Sequence, residues 1–345
     1  MHRLRWTYGL IAALVLIIAG YTAFWFHLKG RVEQGLNDWA AEQRAKGWQV
    51  YHSPPSFSGY PYRIMLELKE VALADPAHPQ AWALRLASIK AVTHPWTLRH
   101  ILLQPEGTTE LAWTVNGSRA NLTGTAEQQR ASLALDVANR VQRFSYEALK
   151  PVLTLSTPRL AEPVTARADK LELHTRDNRG TPGAPTVADL AVTAEQLTAS
   201  GMDAGPPFGN TIARLQLELG ATGPIDARTV AVWRDAGGTV ELRRLAVRWG
   251  PLDASTTGTL ALDKQMRPLG ALTAEAKGWE AVIDGLTERR MIARNQARTL
   301  KIALGLLAQP ATDGGKVLRA PITAQDGKLF LGPVMLGDLP PLLPE

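Results

Sequence analysis

The chain has 345 residues, a formal net charge of +6, 45% hydrophobic and 20% charged residues, and no cysteine. This length supports one large or two medium domains around a sizeable core, and the proportions are those of a globular protein. Without cysteine there are no disulfides, thiolate metal sites or thiol nucleophiles, and a modest positive charge favours anionic surfaces without selecting one.

The run Trp6–Phe26 contains no charged residue. As a helix it would reach ~32 Å, the thickness of a bilayer's hydrocarbon. Trp6 and Tyr8 stand at one end, and Tyr21, Trp25 and Phe26 at the other, where amphipathic rings favour the lipid–water interface. A cleaved signal peptide has a shorter apolar core closed by a small-x-small site. Here the run continues into aromatic residues, so an uncleaved anchor is expected. Arg3 and Arg5 precede the run and Lys29 and Arg31 follow it, a small charge bias; with an uncleaved anchor the amino terminus is expected in the cytoplasm and everything after Leu28 outside the inner membrane.

Residues Lys29–Gly47 suit a helix, with Val32, Leu36, Trp39 and Ala40 on one face and Gly47 as its stop. The pattern then turns to strands, favoured also by 23 prolines and 29 glycines, which interrupt long helices. Tyr62, Ile64, Leu66 and Leu68 alternate with polar or flexible residues, the period of a half-buried strand. The apolar phase then jumps by one residue near Lys69–Glu70, to Val71 and Leu73. The same jump recurs near Ala87–Ser88, between Leu86 and Ile89, and at Arg243–Arg244, between Leu242 and Leu245. A one-residue insertion is what a β-bulge is, and bulges bend and twist a sheet.

Further strand patterns follow in LRHILL, ELAWTV, RANLTG and ASLALDV, then more weakly through residues 164–221. Exposed loops are expected at 176–185 and 201–210. A short helix around Arg228–Asp235 ends at Gly237–Gly238. Strands resume at TVELRRLAVRW and LDASTTGTLALD, and helical patterns at WEAVIDGLTERR and RTLKIALGLLAQ. A closing hairpin turns at Asp326–Gly327.

The expected fold is therefore mainly β (β-rich α+β): an N-terminal transmembrane helix, then an elongated, curved antiparallel sheet with a few helices near the N-terminus and C-terminus. The divisions are a cytoplasmic N-terminus and anchor over 1–28, a helical stalk over 29–47, and a single elongated β-rich periplasmic domain over 48–345. Such a curved, half-wet sheet forms a trough, and Ile64, Leu66, Leu84, Leu86, Leu260 and Leu262 are the in-phase residues expected to line it.

Several stretches carry a family resemblance: SGYPYRIMLELKEVAL, HPWTLRHILLQPEG, WRDAGGTVELRRLAVRWGPLDASTTGTLALDKQMRPLGAL and the closing KLFLGPVMLGDLPPL. They resemble the Gram-negative envelope family known as domain of unknown function 2125, whose members are membrane-anchored. Its Gly-aromatic-Pro motif corresponds to Gly59, Tyr60 and Pro61, and its later tryptophan, paired glycine and Trp-Gly segment to Trp233, Gly237, Gly238, Trp249 and Gly250. The resemblance covers most of residues 30–342 and brings no catalytic residues with it. The pattern is also broadly similar to AsmA-like proteins, single-anchor β-proteins with an apolar groove implicated in lipid traffic.

No nucleotide-binding, zinc-hydrolase, serine-hydrolase or calcium-loop motif is present. The histidines His2, His27, His52, His78, His94, His100 and His174 lack the helical spacing of a metal site; His94 and His100 flank Pro95–Trp96. Ser88 and Lys90 share a strand face, the arrangement of a Ser–Lys pair if the lysine were desolvated. Asn116 and Asn121 begin sequons that matter only in a eukaryotic secretory path. The basic run Arg289, Arg290, Arg294, Arg298 and Lys301 suits anionic headgroups, and no stacking aromatic interleaves it as nucleic-acid binding would want. No catalytic, cofactor-binding or metal residue is assigned, no cofactor is expected, and the chain is not expected to be an enzyme. The expected partners are the inner membrane and either phospholipid or another hydrophobic ligand held in the trough. The alternative is a structural or assembly factor binding another envelope protein at its sheet edge.

Overall fold

The computed structural model describes residues 2–75, 82–115, 118–179, 181, 183–201, 208–224, 230–310, 316–332 and 334–342. His78, Asn116, Arg228 and most of the loop expected at 201–210 lie outside them. Strands dominate, pairing antiparallel throughout, behind one long apolar N-terminal helix. The contacts cluster into two compact units, the division falling inside the region that the sequence reading draws as one.

The first unit begins with α1 (His2–Ala45), unbroken from the apolar run through the segment expected as a stalk. After it come β1 (Gln49–Tyr51), β2 (Ser56–Ser58), β3 (Ile64–Asp75), β4 (Trp82–Thr93), β5 (His100–Val115), β6 (Ser118–Thr125) and β7 (Gln128–Leu135). The second unit takes β8 (Val141–Leu149), the start of β9 (Val152–Ser156), whose residues from Thr154 on fall in the first unit, then β10 (Val164–Arg167), β11 (Lys170–Asp177), β12 (Ala188–Ala199) and β13 (Thr211–Ala221). It continues with α2 (Val230–Asp235), β14 (Val240–Trp249), β15 (Leu252–Leu262), β16 (Pro268–Lys277), α3 (Trp279–Glu288) and α4 (Arg294–Gly305). The chain closes with β17 (Ala308–Pro310), β18 (Lys316–Gln325), β19 (Lys328–Leu331) and β20 (Val334–Asp338). Asp326 and Gly327 both have positive φ in the β18–β19 turn, as the Asp-Gly pair predicts.

Two of the three expected phase jumps are register slips, and the third is a break in a ladder that keeps its register. The β4–β5 register slips between Leu86 and Ser88. Around Arg243 the register slips against both neighbours, β13 and β15. At the third place Glu70 is left-handed, with φ 51, opposite Ala87, and this pair interrupts the β3–β4 ladder between Lys69↔Ser88 and Val71↔Leu86.

The two units repeat one meander. In the first, β1 and β2 lie end to end along β3, followed by β4 and β5. In the second, β10 and β11 lie end to end along β12, followed by β13 and β14. Each broken first strand faces a left-handed non-glycine residue, Glu70 in one and Gln196 with φ 52 in the other. Each break donates the same hydrogen bond across, Ser53 N–H to Lys69 O at 2.9 Å and Asp169 N–H to Glu195 O at 2.9 Å. The residues opposite are Ala87 and Ala213, and beyond them the register slips to β5 and to β14.

The motif Gly59–Tyr60–Pro61 clamps the sheet to α1. The Tyr60 hydroxyl bonds Thr22 Oγ1 at 2.7 Å, the Tyr21 hydroxyl donates to Pro61 O, and the Trp25 indole donates to Arg63 O at 3.1 Å. Trp25 meets Tyr60 edge-on and packs with Leu28, Ile64 and Phe57 into a buried cluster. Gly59 has φ +98, and a Cβ there would lie 2.8 Å from Arg63 O, so no other residue closes this turn without strain. Gly59→Ala is expected to cost ~1–3 kcal/mol, read as a lower melting temperature of the detergent-extracted protein. Unchanged melting would show that the turn is not what holds helix and sheet together.

Candidate functional site

The second unit presents a continuous apolar sheet face. Because alternate residues point to the same side, the pairing sets Tyr146, Leu173, Val192, Leu217 and Leu245 in one row across β8, β11, β12, β13 and β14. A second row runs Ala148, Leu171, Ala194, Leu215, Val247 and Ala254. Leu190, Leu219 and Leu242 begin a third. The reverse face carries Glu172, His174, Arg176, Gln216, Glu218 and Arg244, the alternation of a sheet with one wet side.

The helices α3 and α4 cover one end of the apolar face. Trp279, Ile283, Ala297 and Leu304 of α3 and α4 form a buried cluster with Leu318 and Ala320, against Ala276 and Leu331 on β16 and β19. The row from Tyr146 to Leu245 stays partly exposed, and Leu245 keeps 37% of its surface. Burial alone pushes the Tyr146 phenol above its usual pKa, as an apolar setting does. A hollow of 420 Å³ opens here, lined by Val141, Ala188, Leu190, Leu219, Ala221 and Val240 among others.

The Arg243 bulge keeps this face apolar. Leu242 pairs with Leu219 and Leu245 with Leu217, so both leucines stay on one side across the step. Arg243 is thereby sent to Asp189 at 3.0 Å, to Thr186 Oγ1 at 2.8 Å and to Glu241 at 3.2 Å. It passes over Gly220, where a Cβ would lie 2.6 Å from Thr186 Cγ2 and 2.9 Å from the guanidinium. Asp189 also accepts from Asn178 at 2.7 Å and Thr186 at 2.6 Å.

The first unit has a larger hollow of 630 Å³ beside β1, lined by Ala72, Ala74, Ala83 and Ala112, with Arg44, Arg85 and Arg119 among its other residues. Trp48 and Trp82 also line it and meet edge-on at 5.2 Å.

The residues expected to line a trough are divided between the two units. Ile64 is 1% exposed beneath Trp25 and Leu28 and belongs to the clamp's core. An extended strand pattern cannot reveal that a helix lies over its first residue. Leu66, Leu84 and Leu86 sit partly exposed in the first unit, and Leu260 and Leu262 partly exposed in the second.

The candidate chemical groups are tied into the sheet. Lys90 Nζ lies 2.7 Å from Glu106 Oε1, and that hydrogen bond holds the lysine above its ordinary pKa. It stays charged, whereas activating Ser88 needs a neutral amine. His94 bonds Tyr62 O at 3.1 Å and stacks on Trp96, while His100 bonds Ser132 Oγ at 3.0 Å. His174 bonds its cross-strand neighbour Ser145 at 3.0 Å. Neither Ser–His pair is visible without the strand register. Among the described residues no group of three metal-ligating side chains converges. Lys301 of the basic run pairs with Asp284 at 2.6 Å.

The network at Asp189 has a pH signature. Burial raises this carboxyl, but hydrogen bonds from Thr186 and Asn178 and the Arg243 charge outweigh it, leaving the pKa below its ordinary value. A depressed native pKa means stability that is complete above the unfolded value of ~3.9 and lost as pH falls through the native one. Asp189→Asn is therefore expected to flatten the acid limb of a stability–pH profile below about pH 4. An unchanged slope would show that Asp189 titrates alike in both states.

The family's other motif residues also hold structure. Trp233 donates from its indole to Thr222 O at 2.8 Å and lies over Gly238, where a Cβ would meet its ring at 2.3 Å. Trp249 donates to Gly209 O at 3.2 Å and packs on Phe208. No curated protein and no solved structure matches the chain, and neither comparison shows the likeness to AsmA-like proteins. The profile of uncharacterised proteins conserved in bacteria, domain of unknown function 2125, matches residues 25–340, and the chain belongs to that family.

Proposed function

We propose that the protein is a non-catalytic envelope protein, anchored in the inner membrane by α1 with its amino terminus in the cytoplasm, that holds an acyl chain or another hydrophobic ligand on the apolar face of its second unit. The observation carrying this reading is the partly exposed row Tyr146, Leu173, Val192, Leu217 and Leu245, beside which Leu190 and Leu219 line a hollow. A hydrocarbon chain on such a surface gains ~0.8 kcal/mol for each methylene removed from water, so affinity needs no reaction. The ties of Lys90, His100 and His174 support a non-enzymatic role.

The anchor is supported by one helix long and apolar enough to cross a membrane, with its apolar window almost wholly exposed. A reporter active only outside the cytoplasm, fused after residue 345, is expected to function; an inactive reporter would reverse the orientation.

Leu217→Glu tests the ligand. It places a carboxylate in the middle of the apolar row, where leaving it unpaired against hydrocarbon costs several kcal/mol. Native mass spectrometry of the gently extracted variant is expected to show loss of co-purified lipid while circular dichroism stays that of a folded β-protein. A folded variant with its full lipid load would sink the reading and bring forward an envelope-protein partner at a sheet edge.

A further inference from the structure

We infer that one end of the first unit is seated in the lipid interface, with Tyr60, Tyr62, Trp96, Leu98 and Val137 at the headgroup level of the leaflet from which α1 emerges. The inference rests on the anchor reading of α1 and adds a second, non-helical membrane contact.

Depth is set by hydrogen bonds. Residues 21–26 close the apolar run, so in a spanning helix they lie where hydrocarbon gives way to headgroups. The loop over 59–63 is tied to that turn through Thr22, Tyr21 and Trp25 and therefore shares its depth. His94 bonds Tyr62 O at 3.1 Å and stacks on Trp96 at 5.2 Å, which brings the loop over 94–99 beside it. A third loop joins them, because Leu135 N–H donates to Arg99 O at 2.8 Å and the chain then turns through Asp136–Arg140. The strand ends agree: Ile64 pairs with Thr93, and His100 with Ala134.

These loops expose what soluble turns usually hide. Tyr62 is 73% exposed, Trp96 64% and Val137 83%, with Tyr60 and Leu98 also exposed. Tyrosine and tryptophan pair an apolar ring with a polar edge and are enriched at membrane interfaces. Arg63 and Arg99 stand exposed among them, where lipid phosphates would meet a guanidinium. The apolar patch thus continues the exposed flank of α1, through Phe24 and Phe26, on to three loop tips, and a bilayer is the partner that covers both.

The cysteine-free chain allows a direct test with single nitroxide labels. Thr97→Cys and Val137→Cys probe the rim, Leu16→Cys the span, and Lys46→Cys the turn after α1. The full-length protein is reconstituted in vesicles of phosphatidylethanolamine and phosphatidylglycerol, and collision with oxygen is compared with collision with a water-soluble nickel chelate. Both rim labels are expected to show a severalfold higher oxygen-to-nickel ratio than Lys46→Cys, and Leu16→Cys a higher ratio still. If Leu16→Cys reports hydrocarbon while both rim labels match Lys46→Cys, the seating is refuted and the anchor stands. If Leu16→Cys is also open to nickel, the anchor reading fails and the seating fails with it.

Discussion

A sheet with one wet face can tolerate a strand defect only if the residues on either side still point the same way. Side chains alternate with period two, so a slip of one residue sends every later leucine to the opposite face. In β14 the sequence meets this constraint by placing Leu242 and Leu245 three apart around an arginine pair, and the register slips there against both neighbours. The apolar rows of the second unit depend on that step. So does the polar network on the reverse face, since the bulge that preserves the leucines also directs Arg243 across Gly220 to Asp189.

The family's motif residues follow the same logic of support. Gly59 gives a turn that brings Tyr60 and Pro61 onto α1, and Gly238 leaves room for the Trp233 ring. They fix where a helix meets a sheet or where a loop closes, and α1 is tied to its sheet again further along, where Arg44 donates to Val50 O. The two left-handed residues Glu70 and Gln196 belong with them. Each sits at the break of a meander that both units share, a defect that recurs in place and geometry and is therefore built in.

Much of this was legible in the sequence because it is local. Period-two alternation located the strands, the uncharged run located α1, and the phase jumps located the defects. What stayed hidden depends on pairing. Ile64 reads as one more in-phase strand residue, and only the approach of Trp25, nearly forty residues earlier, turns it into core. The Ser132–His100 and Ser145–His174 pairs exist only once the register is known. The repeated meander was hidden for a similar reason: Glu70 and Gln196 share a backbone conformation, not a residue type. The expected lining set divides between the two units, and of its members Ile64 is the one that the helix takes into a core.

The junction of α1 with the first unit has a mechanical consequence. No flexible linker separates them: the helix runs unbroken to Ala45, and the sheet is tied to it at Tyr21, Thr22 and Trp25. Apolar helices that are longer than the local hydrocarbon thickness tilt to fit it. For a spanning α1, any such tilt is transmitted rigidly to the first unit, lifting one side of its rim from the lipid and pressing the other in. Bilayer thickness would then set the attitude of the sheet above it, a coupling that a stalk with a free joint would lose.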